Sequence, residues 1–193
     1  MVWEQRTQII VMTTKLWERG RMKCGQYWPE VDGTAQYGDV VITSTGETVR
    51  QDYTVRQFHV IKGDDSRSVT QYQFTGWPDF GVPPSAQSFL QFLDDIRNVH
   101  DENSKHLAQD ERRPPIVMHC SAGIGRTGTL GAIDIGLQQL DATGKVNVEG
   151  IVRKMRCQRA FSIQTPEQYE FCFKAIIEAS KISKPNDQDL QGN

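Results

Sequence analysis

Cys120 and Arg126 are separated by five residues, two of them glycine, and these types and spacing suit chemistry on a phosphate group. Successive backbone N–H groups in such a turn form a nest for an anion, and a helix that begins there adds its positive dipole end. The guanidinium of Arg126 can bind two phosphate oxygens at once. The same N–H groups would lower the pKa of the Cys120 thiol and make it a thiolate nucleophile. The predicted anion-binding residues are those of the turn: Ser121, Ala122, Gly123, Ile124 and Gly125.

A glycine-rich turn between a strand and a helix, with a buried cysteine, is the alternative interpretation of this segment. A cysteine and an arginine at this spacing also occur together by chance. The complete string HCSAGIGRTG at residues 119–128, however, stands between a predicted strand and a predicted helix. That combination favours a phosphate-binding loop.

Hydrophobic periodicity predicts the elements that position this loop. Apolar and β-branched runs predict strands at residues 7–14, 40–45, 48–60, 66–74 and 115–120, with a turn at residues 44–46. Apolar residues at helical spacing predict helices at residues 85–98, 129–140, 146–156 and 165–179. Thr165 is the predicted N-cap of the last helix, Pro166 its first residue, and Gln168 the partner in a capping box. Loops are predicted at residues 76–84 and 101–113.

The charge balance excludes partners that need a broadly cationic surface. The 193 residues carry 22 basic and 24 acidic side chains, for a formal net charge of -2. We therefore expect neither nucleic-acid binding nor contact with an anionic membrane. Four widely spaced cysteines without a C-x-x-C pair predict free thiols in a reducing, cytoplasmic setting and no metal site. Burial as small apolar side chains is the default expectation for Cys157 and Cys172.

Four segments together resemble the signatures of the classical protein tyrosine phosphatases, in the family's order. They are KCGQYWP at residues 23–29, WPDFGVP at 77–83, HCSAGIGRTG at 119–128 and QTPEQY at 164–169. The likeness covers residues 1–180. The segment QRAFSIQTPEQ at residues 158–168 resembles the corresponding segment of the non-receptor subfamily that carries an N-terminal CRAL-TRIO lipid-binding domain.

The resemblance implies an α/β fold, with a twisted mixed sheet flanked by helices and the active loop at the carboxyl end of a strand. It implies hydrolysis of phosphotyrosine in proteins without metal or cofactor. Residues 1–180 are expected to form the C-terminal portion of a catalytic domain truncated at its N-terminus, and residues 181–193 a polar, disordered tail. The alternative is a catalytically weak or dead fragment that binds phosphotyrosine. A dual-specificity phosphatase shares the cysteine–arginine loop, but the YWP and QTPEQ segments favour the classical type.

The resemblance also assigns the central roles. Cys120 attacks phosphorus, and Arg126 holds the equatorial oxygens. Asp79, on a mobile loop, protonates the departing tyrosine oxygen as general acid. For Asp79, a turn-forming Pro-Asp pair is the alternative. Gln164 positions the hydrolytic water, and Thr127 donates a hydrogen bond to the leaving thiolate.

Five further residues receive supporting roles. His119 holds the loop in shape, and Gln168 contributes to substrate binding, although simple helix capping is the alternative for both Gln164 and Gln168. Glu18 orients Arg126, and Lys23 contacts the acid loop when it closes, with solvated surface charge as the alternative for both. Phe161 stands where many relatives have glycine, so its ring is expected to narrow one side of the pocket mouth.

Overall fold

The computed structural model describes residues 1–108 and 111–182. Contacts divide the chain into two compact units. The first unit holds residues 1–80 and 92–123, and the second holds residues 81–91 and the chain from Ile124 onward. Eight strands and four helices occur in the described part of the chain. The predicted α/β class is therefore confirmed.

The first unit is built on a six-stranded mixed sheet. In chain order the strands are β1 (Ile9–Met12), β2 (Trp17–Glu18), β3 (Arg21–Met22), β4 (Thr34–Tyr37), β5 (Val40–Val49), β6 (Tyr53–Lys62), β7 (Asp65–Phe74) and β8 (Val117–His119). The sheet order is β4-β5-β6-β7-β1-β8, and β2 and β3 form a separate two-stranded hairpin. Strand β1 runs parallel to both β7 and β8, whereas β4 to β7 pair antiparallel. Cys120 follows the carboxyl end of β8.

Strand β1 is apolar on both faces because it lies inside the sheet and both faces are covered. Ile9, Val11 and Met12 are at most 1% exposed. On the Met12 face, a cluster forms with Trp28, Phe58, Val60 and Val69. Side chains alternate along a strand, so Tyr72 and Phe74 of β7 lie on the face opposite Val69.

That opposite face packs against helix α1 (Gln87–Ser104). The ring of Phe92 lies 5.2 Å from the ring centroid of Tyr53 and 5.1 Å from that of Phe74. The helix continues six residues beyond its predicted end at residue 98, because no glycine or proline interrupts it. The predicted loop at residues 101–113 is therefore wrong for its first four residues. The Ser104 hydroxyl donates to the carbonyl of His100, as is common in a last helical turn.

The predicted turn at residues 44–46 is wrong. Strand β5 continues through it with a bulge between Ser44 and Gly46, and the chain reverses at residues 50–52 instead. Thr45 is the extra residue, and its hydroxyl donates to the carbonyl of Gln57 on β6. A bulge and a turn share a glycine-containing signature, so the sequence did not separate them.

The second unit contains three helices, α2 (Gly125–Thr143), α3 (Val148–Gln158) and α4 (Pro166–Ile182). The Asn147 side chain accepts from the N–H of Gly150 and caps α3. Thr165 accepts from the N–H of Gln168 and caps α4, with Pro166 at the first helical position as predicted. Helix α4 ends two residues beyond residue 180, and the rest of the predicted tail, residues 183–193, lies outside the described residues.

Candidate active site

The nucleophile candidate sits in the turn that follows β8. Cys120 is 9% exposed, and its Sγ accepts a hydrogen bond from the N–H of Gly123 at 3.2 Å. Gly123 has a φ of 69°, a left-handed conformation that L side chains rarely adopt. This conformation turns the Gly123 N–H back toward the sulfur. One backbone N–H is thus directed at Cys120 Sγ. The predicted anion nest formed by the other residues of the turn stays a prediction.

A series of hydrogen-bonded polar side chains ends at the Cys120 carbonyl and contacts this turn. The Gln71 amide donates to the Tyr27 hydroxyl at 2.8 Å, and the Tyr27 hydroxyl lies 2.7 Å from Nε2 of His119. Nδ1 of His119 lies 3.2 Å from the carbonyl oxygen of Cys120. A carbonyl accepts, so Nδ1 carries the proton and Nε2 accepts from Tyr27.

Burial fixes the protonation states in this polar chain. It lowers the pKa of His119, with an opposing contribution from the bond to Cys120, and therefore favours the neutral ring. It also raises the pKa of Tyr27 to about 12, so its hydroxyl stays a donor. In its neutral form, His119 donates from Nδ1 to the Cys120 carbonyl, and this hydrogen bond can hold the loop in shape.

Glu18 lies at the end of β2 and is 5% exposed. One carboxylate oxygen accepts from the Thr14 hydroxyl at 3.0 Å and from the N–H of Lys15 at 3.3 Å. These bonds hold the carboxylate in one orientation. The N–H of Lys23 donates to the carbonyl of Leu16 and closes the same hairpin. The predicted partners of the two side chains, Arg126 and the acid loop, stay predictions.

Asp79 is exposed on the loop after β7. The loop is anchored at its start, because the N–H groups of Thr75 and Gly76 both donate to the carbonyl of Asp52. Trp77 is 1% exposed and fixes the chain two residues before Asp79. A side chain on the exposed tip of an anchored loop suits a group that meets a substrate from outside.

Arg126 is the second residue of α2. The N-cap position is Ile124, whose side chain makes no capping hydrogen bond. The Ile124 carbonyl accepts from the N–H groups of both Gly128 and Ile163, each at 3.0 Å. The segment before α4 is thereby attached to the first turn of α2.

That attachment brings Gln164 and Gln168 to the start of α2. A Cβ placed on Gly125 would lie 2.5 Å from Oε1 of Gln164 and 3.2 Å from the Gln168 amide, so a larger residue there would displace these two side chains. Oε1 of Gln168 accepts from the N–H of Gln164 at 2.9 Å. The bond that the capping box predicted, to the N–H of Thr165, is thus replaced by one to the preceding residue.

Thr127 directly follows Arg126 in α2. Its hydroxyl oxygen is buried and has no hydrogen-bond partner among the described residues. A buried hydroxyl without a partner is uncommon in folded proteins and is a candidate for a functional hydrogen bond. The predicted bond to the Cys120 thiolate stays a prediction.

Phe161 occupies the segment before Gln164 with a φ of 63° and a ring that is 75% exposed. Arg156 of α3 holds this segment, because its guanidinium donates to the carbonyls of Ser162 and Ile163, both at 2.9 Å. Sequence reasoning missed Arg156. Its only signal was an arginine in the last turn of a helix, where such side chains often bind nearby carbonyls.

The four cysteines are free, as predicted. Cys172 is fully buried, and burial raises the pKa of its thiol to about 12. Cys157 is exposed on α3, so the expectation that it is buried is wrong. In the described structure, neither Cys157 nor Cys172 accepts a hydrogen bond from the backbone N–H of another residue, as Cys120 does from Gly123.

Residues 1–108 and 111–182 form neither a metal-binding cluster nor a membrane-spanning helix. No group of three or more histidine, cysteine or acidic side chains is arranged to hold a metal ion there. No helix in that part of the chain has the length and apolarity needed to cross a bilayer.

A thiol at the end of a strand, an N–H directed at it and an arginine in the next helical turn have the form of a cysteine-based phosphate site. The chain belongs to the protein-tyrosine phosphatase family, whose model matches residues 1–178. This match confirms the family predicted from the signature segments.

Known relatives are similar along almost the whole chain. Tyrosine-protein phosphatase non-receptor type 9 of Mus musculus is 49% identical over 185 residues, or 92% of this chain and 31% of that protein. Tyrosine-protein phosphatase corkscrew of Drosophila melanogaster is 41% identical, over 91% of this chain and 21% of that protein. Receptor-type tyrosine-protein phosphatase eta of Gallus gallus is 38% identical, over 98% of this chain and 13% of that protein. The chain thus spans less than a third of the length of these relatives.

Proposed function

We propose that this chain hydrolyses phosphotyrosine in proteins through a cysteinyl-phosphate intermediate. The observation that carries the proposal is the hydrogen bond from the Gly123 N–H to Cys120 Sγ at 3.2 Å. An N–H directed at sulfur stabilises the thiolate, the nucleophilic form of cysteine. The relatives are named tyrosine-protein phosphatases, which supports phosphotyrosine-containing proteins as substrates.

In the first step, the Cys120 thiolate attacks phosphorus and the S–P bond forms. The bond from phosphorus to the tyrosine oxygen breaks, and Asp79 gives its proton to that oxygen. Arg126 binds the equatorial oxygens, where charge is spread in the transition state. The exposure of Asp79 on an anchored loop supports this role, since an acid must reach a leaving group held outside the loop of Cys120.

In the second step, water attacks phosphorus and the S–P bond breaks. Gln164 positions the water, and the Asp79 carboxylate takes its proton. Inorganic phosphate leaves, and the thiolate of Cys120 is restored. The Thr127 hydroxyl has no hydrogen-bond partner among residues 1–108 and 111–182, which supports its proposed role as donor of a hydrogen bond to this thiolate. The attachment of Gln164 to the start of α2 supports its proposed place beside the phosphate.

The remaining residues are proposed to support the catalytic groups or to border the substrate. His119 holds the Cys120 carbonyl and is not the base, in keeping with its lowered pKa. Glu18 is proposed to orient Arg126, since a buried carboxylate held by two hydrogen bonds is well suited to fix a guanidinium. Lys23 is proposed to meet the acid loop when it closes. Gln168 and Phe161 are proposed to border the substrate.

The proposal is tested with Cys120→Ser, beside Cys157→Ser as the matched control at an exposed cysteine. With a phosphotyrosine peptide, we expect Cys120→Ser to abolish turnover and the control to keep it. Rapid acid quench of the wild-type chain should trap a phosphoryl group on Cys120. Arg126→Lys should lower kcat/KM by about 10²–10³-fold, because a point charge does not replace the planar fork. Peptide binding by the wild-type chain without turnover would contradict the proposal and favour a phosphotyrosine-binding module.

A further inference from the structure

A two-residue turn joins β2 to β3, and it projects an arginine. Glu18 pairs with Arg21 across the hairpin, so Arg19 and Gly20 form the connection. Both have positive φ, 52° for Arg19 and 68° for Gly20, as a type I′ turn requires. Asparagine, aspartate or glycine is the usual residue at the first of these positions. Arginine there costs stability, and such local strain is characteristic of functional positions.

The Arg19 side chain lies on the loop that carries Asp79. Its guanidinium lies directly over the ring of Phe80, the residue after Asp79. Phe80 is 73% exposed, so the ring is not held by burial in the core. A planar cation over an aromatic face is attractive, and the planar shape of arginine suits this stacking.

We infer that Arg19 is a positioning residue for the general acid, acting through Phe80. The stack joins the tip of the hairpin to the residue next to Asp79, and so restrains where the carboxyl group can go. The residue before Arg19, the buried Glu18, accepts hydrogen bonds from Thr14 and Lys15, which hold the start of the turn. The inference rests on the proposed function, in which Asp79 protonates the leaving group. The resemblance implied that Lys23 contacts this loop when it closes, which stays a prediction; the contact described is made by Arg19.

The experiment measures kcat/KM for a series of substituted phenyl phosphates that differ only in the acidity of the leaving phenol. Arg19→Asn removes the cation and places a residue suited to the turn, so a loss cannot arise from a strained hairpin. Arg19→Ala is the second variant, and Arg21→Ala, an exposed arginine of the same hairpin, is the control. We expect both Arg19 variants to lose about 2- to 5-fold with poorly acidic phenols and nothing with strongly acidic ones.

Arg19→Lys should recover part of the loss, because it keeps the charge but not the planar stack. The Arg19 effect should vanish when Phe80→Leu or Asp79→Asn is already present, since all three act through one group. A loss of equal size for every phenol, an additive effect in the Asp79→Asn background or the same loss in Arg21→Ala would overturn the inference. If Asp79→Asn itself leaves the dependence on the phenol unchanged, the proposed acid is wrong. If it steepens the dependence while the Arg19 variants match wild type, only the inference about Arg19 is wrong.

Discussion

In the proposed mechanism, the carboxyl group of Asp79 is needed only when the tyrosine oxygen leaves or when water is deprotonated. A side chain that acts in the transition state lowers kcat when it is lost but leaves ground-state binding intact. Its exposed position gives it few contacts that hold the fold together. Its removal therefore separates catalysis from folding.

We predict that Asp79→Ala lowers kcat with a phosphotyrosine peptide by about 10²–10⁴-fold, as expected for loss of a general acid. The Kd for the peptide should change little, and the variant should retain phosphorylated proteins. Steady-state kinetics and peptide binding by calorimetry measure the two effects. Asp64→Ala, another acidic residue in a turn, is the control. Unchanged kcat with tyrosine as leaving group would show that Asp79 is not the acid.

Phe161 combines an exposed ring with a backbone conformation that favours glycine. A left-handed conformation costs a non-glycine residue about 1–2 kcal/mol. An exposed ring recovers little of this through burial. The fold therefore tolerates a strained residue that contributes little to its core, which supports the proposal that Phe161 borders the substrate.

We predict that Phe161→Gly increases the free energy of unfolding by about 0.5–1 kcal/mol, because relief of strain outweighs the added chain entropy. Ala160→Gly, at the preceding exposed residue, should instead decrease it by about 0.5–1 kcal/mol. Urea unfolding measures both. Phe161→Gly should also change kcat/KM by different factors across a panel of phosphopeptides. Equal factors for all peptides and for a small aryl phosphate would indicate a packing role alone.

At the scale of elements, glycine decides how closely α2 approaches α4. A Cβ on Gly136 would lie 2.5 Å from Cδ1 of Ile176, which is itself 6% exposed. A Cβ on Gly131 would lie 3.3 Å from the terminal methyl group of Met155, which can move aside easily. Two glycines in one helix are therefore under different steric constraints.

We predict that Gly136→Ala decreases the free energy of unfolding by about 1–2 kcal/mol, because overpacking exceeds the gain in helix propensity. Gly131→Ala should increase it by about 0.5–1 kcal/mol, because the propensity gain dominates there. Denaturant unfolding of the two variants is the measurement. Adding Ile176→Val, which removes the clashing methyl group, should reduce the cost of Gly136→Ala. Equal effects of the two alanines would refute this account of the packing.

For the whole molecule, the burial of His119 links stability to pH. Its pKa in the folded chain is lowered by burial, below the value of about 6.5 that an unfolded chain has. As the pH falls, the unfolded state therefore binds the proton first. The stability contributed by this group is complete above about pH 6.5 and is lost as the pH falls through the folded pKa.

We predict that the free energy of unfolding falls as the pH decreases from about 6.5 through the lowered pKa of His119, and that His119→Asn makes this fall shallower. The exposed His106→Asn is the control and should keep the wild-type dependence. Urea unfolding at a series of pH values is the measurement. An identical dependence in wild type and His119→Asn would mean that the neutral ring in the Gln71–Tyr27–His119 chain does not contribute to stability.

The sequence alone determined the family, the element types and the main candidate residues. Short-range sequence patterns are enough to predict strand β8, the turn at Cys120 and the start of α2, because these three segments are adjacent in the chain. The cap at Thr165 and the helix start at Pro166 are local for the same reason. Two local predictions were wrong, the turn at residues 44–46 and the end of α1. Both concern boundaries where one residue pattern fits two conformations.

Tertiary structure alone decided which distant residues meet. Gln71, Tyr27 and His119 come from three separate segments, and they form one polar chain because β1 pairs with both β7 and β8. Arg19 reaches Phe80 across sixty residues of sequence because a turn with two positive φ angles aims it there. Such contacts follow from strand order and backbone direction, which side-chain periodicity does not encode. The sequence proposed which residues could do the chemistry, and packing decided which others contact them.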